Sequence, residues 1–222
     1  MSTTAYRDAS GRRLVDYPRP SVAVDTAVLT PNPSEGLQVL LVRRDSAQRK
    51  DAWALPGTFL HEGETLADAV LRSLEQKAGL RGQAPRQLHV FDAPERDDRG
   101  WVLSVAHVVL LAADVVRPVV AARPDDVRLR PVEDATGLPF DHDDIVRMAV
   151  AEVRSSYAER PDPDRLLLEP FTLRDLRRLH EAVAGERLQP DVFRRHVKDH
   201  LVSTGEMTRG SVGRPAELFR HT

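Results

Sequence analysis

The chain contains no cysteine. Disulfide bridges, thiolate metal centres and a cysteine nucleophile are therefore excluded. Lysine is scarce. Lys50, Lys77 and Lys198 are the three present, so the basic side of a chain with net charge −2 is almost entirely arginine. Long hydrophobic runs are missing as well. No apolar stretch reaches membrane-spanning length, and the N-terminal MSTTAYRDASGRR has no apolar signal core, so a cytoplasmic location is expected. What is present, 41% hydrophobic and 30% charged residues in 222 positions, suits a soluble globular chain of one large or two small domains.

The charge is unevenly placed. Residues 171–222 hold ten Lys/Arg and seven Asp/Glu, a balance of +3, which leaves −5 for the rest. A basic C-terminal module on an acidic body points to a polyanion partner.

Periodicity gives the order of elements. Ser21 to Leu29 alternates as a strand, PNPSEG (31–36) is a turn cluster, and Leu37 to Arg43 is the return strand of a hairpin. Arg44 to Ala52 is a polar loop. Gln87 to Phe91, Trp101 to Ala112 and Val127 to Val132 read as strands, with a charged loop, DAPERDDRG, at 92–100. A helix is expected after an Asp141 N-cap, burying Ile145, Met148, Ala149 and Val153 and ending before Pro161. RPDPDR (160–165) carries two prolines and marks a linker.

The most informative stretch is LPGTFLHEGETLADAVLRSLEQKAGL, residues 55–80. Thr65 is placed to N-cap a helix, with Asp68 completing a capping box. Leu66, Val70 and Leu74 share its apolar stripe, and Gly79 stands at the C-cap. This stretch resembles the Nudix box, G-x5-E-x7-R-E-U-x-E-E-x-G-U. Glu64, Arg72, Leu74, Gly79 and Leu80 match, while Thr58 replaces the leading glycine. The positions of the three metal-binding carboxylates hold Ser73, Gln76 and Lys77. Mg²⁺ requires anionic oxygen ligands. Ser and Gln offer neutral oxygens, and Lys77 adds a positive charge where the cation would sit. The resemblance thus implies the Nudix α/β/α sandwich without its hydrolase chemistry. Glu62, Glu64 and Glu75 remain as carboxylates near the box.

The C-terminal module has its own pattern. Leu173, Leu176, Leu179, His180 and Val183 mark a helix with Thr172 as N-cap and Gly185 as stop. Asp191 to Leu201 reads as a second helix with Val192, Phe193, Val197 and Leu201 apolar. Two short strands, 201–207 and 216–220, follow around TRGSVGRP. Helix, turn, helix and β-hairpin is the order of a winged helix-turn-helix, in which the second helix enters the DNA major groove. On that reading DNA contacts fall on Thr172, Arg194, Arg195, His196 and Lys198, with Arg209 and Arg214 on the wing. A solvated basic helix with a hairpin packed on a protein surface is the plainer alternative.

Over most of its length the chain resembles the Nudix-related transcriptional regulators of NAD metabolism, the NrtR family. The stretches that carry the likeness are YPRPSVAVD (17–25), LEQKAGL (74–80), VFDAPERDDRGWVLSVAH (90–107), LPFDH (138–142), PFTLRDL (170–176), FRRHV (193–197) and GRPAELFR (213–220). The resemblance implies a flexible arm at 1–19, a Nudix-like effector-binding domain at 20–160, a linker at 161–170 and a winged helix-turn-helix DNA-binding domain at 171–222. It implies a homodimeric repressor on a palindromic operator, needing no cofactor, released by ADP-ribose or a related NAD-derived nucleotide. Arg43, Arg96 and Arg99 are candidates for the diphosphate, and Trp53 and Phe59 for stacking on adenine or, equally, for a core or lid role. Arg72 is a further candidate, although its Nudix counterpart pairs with the Glu64 position. His107 and His142 read as satisfied buried or capping histidines. A metal-dependent Nudix hydrolase of ADP-ribose-like compounds, and a protein-binding module, are the competing readings.

Overall fold

The computed structural model describes residues 6–44, 52–208 and 215–222. Ten strands and five α-helices follow one another among them. β1 (Ser21–Asn32) and β2 (Gly36–Arg43) form the hairpin, and β3 (Trp53–Ala54) and β4 (Gly57–Phe59) lead into α1 (Leu66–Ala78). β5 (Arg86–Phe91), β6 (Val102–Leu110), α2 (Ala113–Ala122), β7 (Val127–Pro131) and α3 (His142–Glu159) complete the first unit. The second comprises β8 (Phe171–Thr172), α4 (Leu173–Ala184), α5 (Pro190–Val197), β9 (Leu201–Met207) and β10 (Glu217–His221).

Seven strands make one sheet, ordered β3-β2-β1-β6-β5, with β4 added to β1 and β7 to β2. β1 runs parallel to β6 along nine residue pairs, from Ser21↔Val102 to Leu29↔Leu110, and both strands are buried throughout most of that length. The period of two sorts the side chains. Ala27, Leu29, Leu37, Val39 and Leu41 face α3, while Val24, Val28, Leu40 and Val42 face α1 and α2. The result is helix, sheet, helix. No described helix is long and apolar enough to cross a membrane.

α1 follows its sequence closely. Thr65 Oγ1 accepts from the Asp68 N–H, the Asp68 carboxylate returns to the Thr65 N–H, and Gly79 closes the helix at φ 67°. α4 repeats the device with Thr172, Asp175 and Gly185. The two residue types satisfy orphan helix N–H groups that would otherwise need water.

Elsewhere the structure corrects the reading. Residues 113–126 carry no expected element, yet Ala113–Ala122 is helical with Pro118 inside it. Proline and the valines around it lower helix propensity, but burial of Val116 against the sheet outweighs that. β1 continues to Asn32, into the expected turn. Asp141 stands at the N-cap of α3 without capping it, because Arg96 takes its carboxylate. Met148 is half-buried, and Val146, Val150 and Tyr157 join the buried face. The second helix of the C-terminal unit stops at Val197 and gives way to a 3-10 turn at Lys198–His200. Val192 is 57% exposed and so lies outside the apolar set.

The C-terminal sheet has three strands, β8-β10-β9, the short β8 being unforeseen. Its core is Phe171, Leu176, Phe193, Val197 and Phe219. α4 serves two cores: Leu176 belongs to this one, whereas Leu179 and Val183 pack with α3 against the large sheet.

Candidate functional site

One cavity of about 560 Å³ opens beside the 57–59 strand and the end of α1. Its walls carry six cationic side chains, Arg43, Arg44, Lys77, Arg96, Arg99 and Arg123, against three carboxylates, Asp25, Asp97 and Asp126. The excess of positive charge suits a polyanionic ligand.

Of the residues singled out in the sequence, Arg43, Phe59, Arg96 and Arg99 meet here. Trp53 and Arg72 do not line the cavity. Trp53 is packed against the α3 side of the sheet, with the Arg128 guanidinium 4.0 Å over its ring. Arg72 is held by both oxygens of Glu64 (2.7 and 2.8 Å), by Thr58 Oγ1 and by the Phe59 carbonyl. It ties α1 to the preceding loop, the structural role its box position suggests. The same contacts lower Glu64 to about 2, the Arg72 hydrogen bonds being the main cause.

Arg43, Arg96, Arg99 and Arg123 are already oriented. Arg43 pairs with Asp126 at 3.4 Å. Arg96, almost fully buried, pairs with Asp141. Arg99 is held by both oxygens of Asp97 (2.9 and 2.7 Å). Arg123 donates to the carbonyls of Gln76 and Lys77, closing the last turn of α1. Pre-set guanidinium planes lose little entropy on meeting phosphate.

Several contributors escaped the sequence reading. Phe140 has a left-handed backbone, φ 58°, rare for a bulky residue. That conformation sets its ring under Arg44 at 4.8 Å and Arg99 at 5.0 Å, and Arg99 also lies 5.1 Å from Phe59. An aromatic-guanidinium stack thus edges the cavity. The signal available was its place in LPFDH, just before a helix.

Asp25 forms the floor. Ser104 Oγ donates to its Oδ2 at 2.5 Å. Leu55 N–H donates to His142 Nδ1 at 3.1 Å, which leaves the ring proton on Nε2, 3.3 Å from Asp25 Oδ1. Burial pushes the Asp25 pKa up, but His142, Ser104 and Arg96 together bring it below the usual carboxylate range. His142 is a satisfied buried histidine, as is His107, whose Nδ1 lies 3.0 Å from the Val105 carbonyl. Gly57 is required here: a Cβ on it would lie 1.9 Å from Asp25 Oδ1.

A Nudix fold implies Mg²⁺, and the residues present do not fit one. Ser73 is buried and its hydroxyl finds no partner among the described residues. Gln76 and Lys77 are the other two ligand positions, and the Lys77 ammonium donates to the Gly57 carbonyl. Of the leftover carboxylates, Glu64 is bound to Arg72, Glu75 pairs with Arg81 at 2.8 Å, and Glu62 is exposed. Among the described residues no three His, Asp or Glu side chains stand where they could share a metal ion.

The second candidate surface is α5. Its core face is Phe193 and Val197. Arg194, Arg195 and Lys198 are exposed, and helical spacing puts them side by side. His196 is not with them: its Nε2 lies 3.1 Å from the Ala158 carbonyl on α3, on the flank that also carries Val192. Thr172 Oγ1 is engaged with Asp175 as the cap of α4. Arg209 and Arg214, expected on the wing, lie outside the described residues.

Residues 20–151 match the NUDIX domain, and residues 164–221 match the NrtR DNA-binding winged helix domain. The chain is 29% identical to the ADPR responsive transcriptional repressor NtrR of Acinetobacter baylyi, over 92% of this chain and 83% of that protein. It is 34% identical to the ADP-ribose pyrophosphatase of Methanocaldococcus jannaschii, over 64% of this chain and 78% of that one. NrtR of Shewanella oneidensis, crystallised with a 27mer DNA, superposes with a TM-score of 0.75 at 32% identity, over 90% of this chain and 93% of that one. The NUDIX domain of the same Shewanella protein, in complex with ADP ribose, gives a TM-score of 0.54 at 27% identity, over 64% and 94% of the two chains.

Proposed function

The chain belongs to the Nudix family and, within it, to the NrtR regulators, and on that premise we propose that it is a transcriptional repressor whose Nudix cleft senses ADP-ribose or a related NAD-derived nucleotide. The observation that carries this is the joining, on one chain, of a cation-lined cleft unfit for Mg²⁺ to a winged helix with a basic exposed helix face. The Acinetobacter relative is described as ADPR responsive, which supports the choice of ligand.

In this reading the diphosphate lies among Arg43, Arg44, Arg96, Arg99 and Lys77, and an adenine or ribose ring lies against Phe59 and Phe140. Residues 20–160 form the effector domain, 161–170 the linker and 171–222 the DNA-binding domain, while residues 1–19 form an arm. The repressor acts in the cytoplasm as a homodimer on a palindromic operator near genes of NAD metabolism. Its two α5 helices must then stand about 34 Å apart, one turn of DNA. Arg194, Arg195 and Lys198 contact bases and phosphates, with Arg209 and Arg214 on the wing. A ligand that favours a different spacing weakens DNA binding, by a coupling of about 1–3 kcal/mol, and DNA must weaken the ligand equally. α3 is suited to carry that coupling. It begins at His142 beside the cleft, and its Tyr157 ring lies 5.1 Å from His180, itself 5.0 Å from Phe193 of α5.

Fluorescence anisotropy on DNA upstream of this gene and its neighbours, with and without ADP-ribose, tests the reading. Specific binding weakened by ADP-ribose is the expected result. The likeness to an ADP-ribose pyrophosphatase keeps one alternative in play: absence of specific DNA binding together with Mn²⁺-dependent release of AMP would replace the repressor by a hydrolase.

A further inference from the structure

We propose that Lys77 stands in for the missing metal: its ammonium is a resident cation for the diphosphate, so the cleft binds its ligand without Mg²⁺. The inference rests on reading the cleft as a diphosphate site. Lys77 occupies the last carboxylate position of the box, the point from which a Nudix enzyme would hold its cation. Its head lies in the cavity, where the Gly57 carbonyl takes one of its three N–H donors. Two donors remain for phosphate oxygens.

The surroundings favour an anion arriving and a cation staying out. Loss of hydration lowers the Lys77 pKa from its ordinary value; Asp25 opposes this, while Arg44, Arg72 and Arg99 add repulsion. Clustered like charges raise one another's free energy, and a bound diphosphate relieves it. A divalent ion entering the same space would meet that repulsion, and among the described residues no group of three carboxylate or imidazole ligands stands ready to hold it. The exchange also suits a sensor. An ammonium holds phosphate oxygens as a point charge but generates no metal-bound nucleophile, so the ligand is retained rather than hydrolysed. Occupancy then follows ligand concentration and ignores metal concentration.

Isothermal titration of the full chain with ADP-ribose and, separately, with inorganic pyrophosphate tests this, each in EDTA and in Mg²⁺. Wild-type affinity for ADP-ribose should be the same in both buffers, and pyrophosphate should bind in EDTA. Lys77→Met keeps the length and removes the charge; affinity for both probes in EDTA should fall by about tenfold or more, the worth of one charged hydrogen bond. Its melting temperature should stay at the wild-type value, which separates lost binding from lost folding. Wild-type binding that appears only with Mg²⁺ would overturn the role of Lys77 and leave the diphosphate site standing. Lys77→Met binding as tightly as wild type in EDTA would do the same. Metal-free, Lys77-dependent binding of pyrophosphate without any of ADP-ribose would uphold Lys77 and reject ADP-ribose as the effector. Binding of neither probe in either buffer would reject both.

Discussion

Replacing Asp162 by alanine should loosen the winged helix from the Nudix domain without touching either binding surface. Asp162 lies in the proline-containing connection and is 1% exposed. Its Oδ1 accepts from the Tyr157 hydroxyl at 3.0 Å and from Leu166 N–H at 2.8 Å. Its Oδ2 accepts from Leu167 N–H at 2.9 Å and faces His221 Nε2 at 3.1 Å. Its own N–H donates to His180 Nε2 at 3.4 Å. One side chain therefore joins α3, the connection and β10, while its backbone reaches α4. Alanine would leave two part-buried backbone N–H groups, a buried phenol and an imidazole without their acceptor. A hydrogen bond to a charged acceptor is worth about 1.5–3 kcal/mol, and each buried donor left unsatisfied costs about 1–3 kcal/mol. The backbone adds to this, since Asp162 sits at φ 47°, where alanine is strained by about 1–2 kcal/mol and asparagine is tolerated. Losses that share one site are not additive, so about 3–5 kcal/mol is expected for Asp162→Ala and about 2 kcal/mol for Asp162→Asn, which keeps one acceptor oxygen. Two cores need not unfold together, so the assay is hydrogen exchange at the Leu166 and Leu167 amides alongside urea unfolding. Protection at those amides should collapse in the alanine variant. An alanine variant within about 1 kcal/mol of wild type would refute the reasoning, because water would then be replacing the carboxylate at no cost.

Gly57→Ala would drive a methyl group into Asp25 Oδ1 and the Val24 carbonyl, 1.9 and 2.9 Å from the ideal Cβ; about 1–3 kcal/mol of stability should be lost, with weaker effector binding by calorimetry. Arg194→Ala, Arg195→Ala and Lys198→Ala should each weaken operator binding. For every phosphate contact removed, the slope of log affinity against log salt should fall by about 0.9. His196→Ala should leave that slope unchanged, since its ring faces the Ala158 carbonyl. Burial holds the His180 pKa down at about 4, with Asp162 opposing and His196 assisting. The unfolded chain takes up that proton near pH 6.5 and the folded chain near 4, so stability is full above 6.5 and falls as the pH drops between the two. The slope from this group is at most about 1.4 kcal/mol per pH unit, and urea midpoints for His180→Gln should be flatter over that window.

Local chemistry made part of the molecule readable in advance. The 65–79 and 172–185 helices announce themselves because a Thr/Asp capping box, an apolar stripe and a closing glycine lie within a few residues of each other. The hairpin is readable for the same reason, its alternation being a property of consecutive residues. The α2 helix was not, since Pro118 and its valines argue against helix until Val116 has a sheet to bury against. Val192 looked apolar and proved exposed because the register of α5 is set by Phe193 and Val197, and a short helix has only one buried stripe.

The cleft divides along the same line. From sequence alone came the Nudix box, the loss of its three carboxylates at Ser73, Gln76 and Lys77, and the Arg72–Glu64 pairing, all of which lie within one loop and helix. Only tertiary structure could bring Arg96 to Asp141, 45 residues away, or seat His142 on the backbone of Leu55, 87 residues away. It also turned Phe140 under Arg44 and Arg99, and packed Trp53 into the sheet instead of the cavity. The physical reason is the same in each case. Capping and periodicity are settled between neighbours along the chain, whereas a charged cavity is made by strand ends and loops that meet only when the sheet has assembled.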